Sequence, residues 1–173
     1  MLFKSGFSLK DEESLFEEYI NSSEYSVCGF SYGAIKAFKY VKEQLNHGKR
    51  IDTLQLFSPA FFQNKSKKFK KLQIIAYTKD KDKYLINFID LCFYPHSKKD
   101  TQHYETDVCE LEELLNYEWN LQELKSLSNR GVKIEVYLGG NDKIIDVESA
   151  REFFLHVATV TYIKNANHFL QIR

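Results

Sequence analysis

Two hydrophobic rhythms alternate along the chain, and each switch between them marks an element. Short apolar-rich runs recur at Met1–Lys4, Tyr25–Cys28, Ile51–Phe57, Lys133–Leu138 and Thr159–Ile163. Runs of this length, bounded by Gly, Ser, Asn or Pro, read as strands. Between them the spacing changes to three and four. Ile35, Phe38, Val41 and Leu45 share one face of a helix over Ala34–Leu45, which His47-Gly48 ends, and Val147–His156 reads as a second helix. Leu15, Phe16, Tyr19 and Ile20 predict a helix over Leu9–Ile20 with Ser8 as its N-cap. Strand, helix and strand at short spacing imply a parallel sheet with right-handed crossovers.

The middle of the chain departs from this alternation. From Ala60 to about Leu127 the periodicity is helical and no strand is expected. Leu85, Phe88, Ile89 and Cys92 mark one helix, stopped near Pro95. Leu111, Leu114 and Leu115 mark another, and Leu121, Leu124 and Leu127 a third, with Gly131 as its C′ residue. The expectation is an α/β core over residues 1–173 as one domain, interrupted by a helical lid insertion over 60–127.

Composition narrows the function classes. With 43% hydrophobic residues and 25 Phe and Tyr among 173, the chain has ample material for one core. No basic-then-apolar leader follows Met1 and no apolar run approaches the length of a membrane span, so a cytoplasmic protein with no membrane contact is expected. Cys28, Cys92 and Cys109 lack metal-ligand spacing and are expected to be free thiols, with no metal and no organic cofactor. The net charge of zero argues against nucleic acid as a partner. Its distribution is uneven, however. Phe61–Lys83 holds eight lysines, Lys65, Lys67, Lys68, Lys70 and Lys71 among them, against two aspartates, whereas Thr101–Leu124 holds seven acids and no Lys or Arg. Such asymmetry bears on partners rather than on fold.

Candidate chemistry enters at Gly29-Phe30-Ser31-Tyr32-Gly33. A Gly-x-Ser-x-Gly run between a strand and a helix is the pattern of a nucleophile elbow, in which a tight, strained turn leaves the serine hydroxyl exposed above the sheet. A glycine-flanked serine also occurs in ordinary turns, but this one has the required context. A serine nucleophile needs a base and an orienting acid, and in this arrangement both follow it at strand ends, acid first. Asp142 in Gly139-Gly140-Asn141-Asp142 follows one strand, and His168 in Asn165-Ala166-Asn167-His168 follows the next. Asp146 is the competing acid, although its place before Val147 suits an N-cap. His47, His96, His103 and His156 fall on helices or inside the insertion. Two backbone N–H groups must face the developing oxyanion. One is expected from Tyr32, directly after the nucleophile, and the other from Phe7, in the Ser5-Gly6-Phe7 loop after the first strand.

On these residues the chain resembles the pimeloyl-[acyl-carrier protein] methyl ester esterases of biotin synthesis, α/β-hydrolases, and most of all their short BioV type. Ser5-Gly6-Phe7-Ser8-Leu9-Lys10-Asp11-Glu12 lies in register with the His-Gly-aromatic and Leu-x-x-Glu patterns of the longer enzymes, with Ser5 in place of the His. The elbow, Gly140-Asn141-Asp142 and Ala166-Asn167-His168 resemble theirs as well. The resemblance implies a trimmed α/β-hydrolase fold without the usual first two strands or closing helix. It also implies cleavage of the methyl ester of pimeloyl-acyl-carrier protein by Ser31, His168 and Asp142. An acidic carrier protein would be the partner, with Lys65, Lys67, Lys68, Lys70 and Lys71 as a basic docking patch. Phe61, Phe62, Phe69, Tyr84 and Phe88 are candidates for lining an acyl slot. A general carboxylesterase or thioesterase, an acyltransferase, and a silent binding module built on the same fold remain as alternatives.

Overall fold

The computed structural model describes residues 1–173. Five parallel strands form the central sheet: β1 (Leu2–Lys4), β3 (Ser26–Phe30), β4 (Thr53–Phe57), β6 (Lys133–Gly139) and β7 (Thr159–Ile163), adjacent in that order. The apolar runs therefore became strands, with ends moved by a residue or two. Alternation along each strand divides the core by face. Leu54, Leu56, Val136 and Leu138 point to the face covered by α1 (Tyr32–Asn46), α5 (Leu121–Asn129) and α6 (Val147–Phe154), within the larger apolar cluster. Cys28, Phe30 and Phe57 point to the opposite face and pack with Phe16, Phe169 and Leu170.

The expected helix over Leu9–Ile20 does not form. Leu9–Lys10 is instead a short strand, β2, paired antiparallel with Gln102–His103, β5, in a region where no strand was expected. Ser8 (φ 62°) and Asp11 (φ 58°) both adopt left-handed backbone, which breaks a helix at its intended start. Only a 3₁₀ turn, Glu12–Phe16, remains. It drives Phe16 between Phe30 and Phe57, with ring centroids 4.9 and 5.0 Å away. The apolar spacing was thus genuine, but it belongs to a plug rather than to a helix. Burying such a ring stabilises the fold by about 1.5–3 kcal/mol.

Four helices lie between β4 and β6: α2 (Lys67–Lys79), α3 (Lys81–Phe93), α4 (Val108–Asn116) and α5. Ser66, Asp80, Asp107 and Asn120 cap their N-termini through side-chain oxygens. Gly131, at φ 89°, takes the left-handed position after α5. All three cysteines are free, Cys28 and Cys92 buried and Cys109 exposed. No helix is long and apolar enough to cross a membrane.

Candidate active site

β3 enters a turn at Ser31 so tight that the serine sits at φ 53°, ψ −114°, outside the regions open to ordinary residues. The surroundings hold it there. Its N–H donates to the Phe57 carbonyl (2.9 Å), and its own carbonyl accepts from the N–H groups of Ala34 and Ala60, each at 3.1 Å. Both flanking glycines are dictated by space. A Cβ on Gly29 would lie 2.3 Å from the Gly33 carbonyl oxygen, and one on Gly33 would lie 1.9 Å from that of Lys4.

The loops after β6 and β7 bring two more groups to this turn. His168 is fully buried; its Nε2 lies 3.0 Å from Ser31 Oγ and its Nδ1 2.5 Å from Asp142 Oδ2. The other Asp142 oxygen accepts the N–H groups of Ile144 (2.7 Å) and Ile145 (3.2 Å), so the whole carboxylate is anchored. A carboxylate at Nδ1 selects the tautomer with its proton there, which leaves the Nε2 lone pair facing the serine hydroxyl. The acid and histidine loops are laced together by Gly140 N–H to Ile163 (2.9 Å) and Asn141 N–H to Ala166 (2.8 Å). Asp146 does what its position suggested and caps α6, accepting the Ser149 N–H at 3.1 Å. Of the other histidines, His96 bonds to the Asn165 carbonyl and His103 to that of Ser8. None of the four bonds to Ser31 or Asp142.

Tyr32 begins α1 and Phe7 lies in the loop after β1. Neither backbone N–H donates a hydrogen bond within the chain, as an oxyanion pair requires of its donors. Side chains secure the same two residues. The Phe7 ring packs against Tyr32, Tyr77 and Phe88. The Tyr32 hydroxyl donates to Glu113 of α4 at 2.5 Å, and burial together with that bond pushes its phenol well above the usual range.

A cavity of about 330 Å³ opens beside Phe7 and Ile144, walled by Phe62, Phe69, Tyr84, Phe88 and the leucines of α4. Four of the five expected aromatics line it. Phe61 does not; it packs instead on Phe153 and Phe154 of α6. A larger open cleft near Asp82, Lys99 and His103 includes none of the residues around Ser31.

The two charge runs have different fates. Glu110, Glu113 and Glu123 pair with Lys36, Lys39 and Lys42 of α1, and Glu105 pairs with Lys81. Lys65, just before α2, and Lys67, Lys68, Lys70 and Lys71, in its first turns, form no ion pair, although Lys67, Lys70 and Lys71 share an open cleft with Glu112 and Glu118. No cluster of three His, Cys, Asp or Glu side chains is placed to hold a metal ion.

Sequence reasoning missed two residues. Asn167 donates to the Phe93 carbonyl at 2.7 Å and exchanges bonds with Gln171, tying the histidine loop to the end of α3. Glu12 was noted only as part of a motif, yet it is buried and accepts the Gly6 N–H at 2.7 Å. A charged residue predicted on a helix face carries no signal of burial.

Sheet order, elbow and loop placement together define the fold as that of the α/β-hydrolases, and solved structures agree. A hydrolase from Oleispira antarctica superimposes with a TM-score of 0.68 at 12% identity, over 99% of this chain and 84% of that one. The esterase of Exiguobacterium antarcticum gives 0.63 at 18% identity, over 83% of this chain but only 59% of its own. BioG from Haemophilus influenzae gives 0.58 at 9% identity, covering 98% and 88%. The chain thus spans about three-fifths of the length of the Exiguobacterium esterase. No protein-family model matches the sequence, and no curated protein matches it significantly.

Proposed function

We propose that this chain is a serine carboxylesterase acting in the cytoplasm on the methyl ester of pimeloyl-acyl-carrier protein, releasing methanol and the free acid. The observation that carries the esterase reading is the relay from Asp142 through His168 to Ser31, at 2.5 and 3.0 Å, on a strained elbow. Ser31 Oγ attacks the ester carbonyl while His168 Nε2 takes its proton. The oxyanion forms against the N–H groups of Phe7 and Tyr32. His168 returns the proton to departing methoxide, and a water activated by the same imidazole then hydrolyses the acyl-enzyme. Asp142 stabilises the transient imidazolium. Every proton is accounted for by these side chains and water.

Three observations support the finer reading of the substrate. The motif register resembles the pimeloyl-carrier methyl ester esterases; the lysines opening α2 are unpaired and suit an acidic carrier; and the apolar cavity beside Phe7 suits an acyl chain. Residues 60–127 serve as the lid in this reading. The likeness to BioG of Haemophilus influenzae points the same way. A general short-chain carboxylesterase is the second reading, favoured by the likeness to the Exiguobacterium esterase. Turnover of carrier-bound pimeloyl methyl ester, compared with that of free methyl butyrate, which has the same leaving group, separates the two. A kcat/KM at least tenfold higher for the carrier-bound ester is expected, and equal values would leave only the general esterase.

A further inference from the structure

Phe7 can donate to an oxyanion only if the Ser5-Gly6-Phe7 loop keeps its peptide planes fixed, and that loop belongs to no regular element. One side of it is set by packing: a Cβ on Gly6 would meet the Phe30 ring at 2.9 Å, and Phe30 lies 4.9 Å from the His168 ring. On the hydrogen-bonding side the Gly6 carbonyl accepts the Leu9 N–H at 3.3 Å, and the Gly6 N–H is held by Glu12. From the first position of the 3₁₀ turn it reaches back six residues, and its Oε1 accepts the Gly6 N–H at 2.7 Å. Glu12 is 2% exposed, forms no ion pair, and its Oε2 is buried with no hydrogen-bond partner. A carboxyl group so placed opposes folding unless it gains something, since no cation of the chain compensates it. Left-handed backbone at Ser8 and Asp11, on either side of β2, turns the chain so that this acid meets this amide.

We infer that Glu12 is a positioning residue of the oxyanion loop: by accepting the Gly6 N–H it orients the following peptide, so that the Phe7 N–H stays free and aimed at the site. The inference rests on the reading of Ser31 as nucleophile and Phe7 as oxyanion donor. Glu12 touches no reacting atom. Its contribution belongs to the transition state, where the oxyanion is fully developed, and not to ground-state substrate binding.

Three variants separate this role from a merely structural one. E12Q keeps an acceptor without the charge, E12M fills the volume without an acceptor, and E12A removes both. With 4-nitrophenyl butyrate, E12M and E12A should lose about 10- to 100-fold in kcat with KM within about twofold, a loss below that of deleting an oxyanion donor outright. E12Q should recover most of it. Affinity for a trifluoromethyl ketone, which forms a tetrahedral oxyanion on the serine, should fall in parallel with kcat. If E12A does not fold, E12M carries the test. An E12M enzyme with wild-type kcat overturns the inference, as does E12Q impaired as severely as E12M. Wild-type protein that neither hydrolyses the ester nor reacts with a fluorophosphonate at Ser31 instead overturns the underlying reading of the site.

Discussion

His168 commits one ring nitrogen to Asp142 and turns the other to Ser31, so the chemistry at residue scale depends on which tautomer is held. An amide in place of Asp142 can donate to Nδ1 and select the opposite tautomer. D142N should therefore fold normally yet lose about 10⁴-fold in kcat. H168A should lose at least as much, and near-normal steady-state rates in either variant would mean that another residue is the base. Glu12 makes a different prediction at this scale. Burial raises its carboxyl above the ordinary value of 4.5, against the Gly6 N–H bond that lowers it. The folded chain thus holds this proton more tightly than the unfolded chain, and stability falls as pH rises through that interval. The melting-temperature difference between E12Q and wild type should grow in favour of E12Q from below about pH 4 to about pH 8. A difference that stays flat with pH would contradict a buried, ionising Glu12. The grouping of Ser31, Asp142 and His168 was legible in sequence because each follows a strand and belongs to a short loop of distinctive composition. Glu12 and Asn167 were not, because they act on backbone groups six and 74 residues away, and no periodicity records such bonds.

Elements place these side chains, and their failures should be graded by how closely they pack. The elbow admits no side chain at Gly33, where a Cβ would fall 1.9 Å from the Lys4 carbonyl oxygen. G33A must push β1 away from α1, at a cost of about 1–3 kcal/mol or more, with loss of activity because Phe7 follows β1. Denaturant unfolding monitored beside kcat checks both parts. Asn167 offers a milder case. N167A removes the bond to Phe93 and those to Gln171, so α3 and the histidine loop should loosen together, with about 1–3 kcal/mol of stability lost. At this scale the five strands of the central sheet were readable from their short apolar runs and α1 from its helical spacing. The Leu9–Ile20 segment was not, because its apolar spacing fits a helix while its left-handed residues and its pairing with β5 depend on partners about ninety residues later.

Across the whole molecule, the charge asymmetry of the sequence resolves into an internal half and an outward half. Three of the seven acids of residues 101–124, Glu110, Glu113 and Glu123, pair with the lysines of α1, which ties α4 and α5 to the sheet layer. The lysines beginning α2 face outward without ion pairs, next to exposed Leu72 and Ile75. If an acidic carrier docks there, K67E/K68E/K71E should raise KM for the carrier-bound ester by about tenfold or more. It should also flatten the dependence of kcat/KM on salt between about 50 and 300 mM. An unchanged KM and salt slope would assign that face to solvent alone. The central claim concerns Ser31, and the most direct measurement is intact-protein mass spectrometry after exposure to a fluorophosphonate. The expected result is a single adduct mapped to Ser31 in the wild-type chain, strongly slowed in H168A and absent in S31A. An adduct that persists in S31A, or a wild-type chain that stays unlabelled, would contradict it.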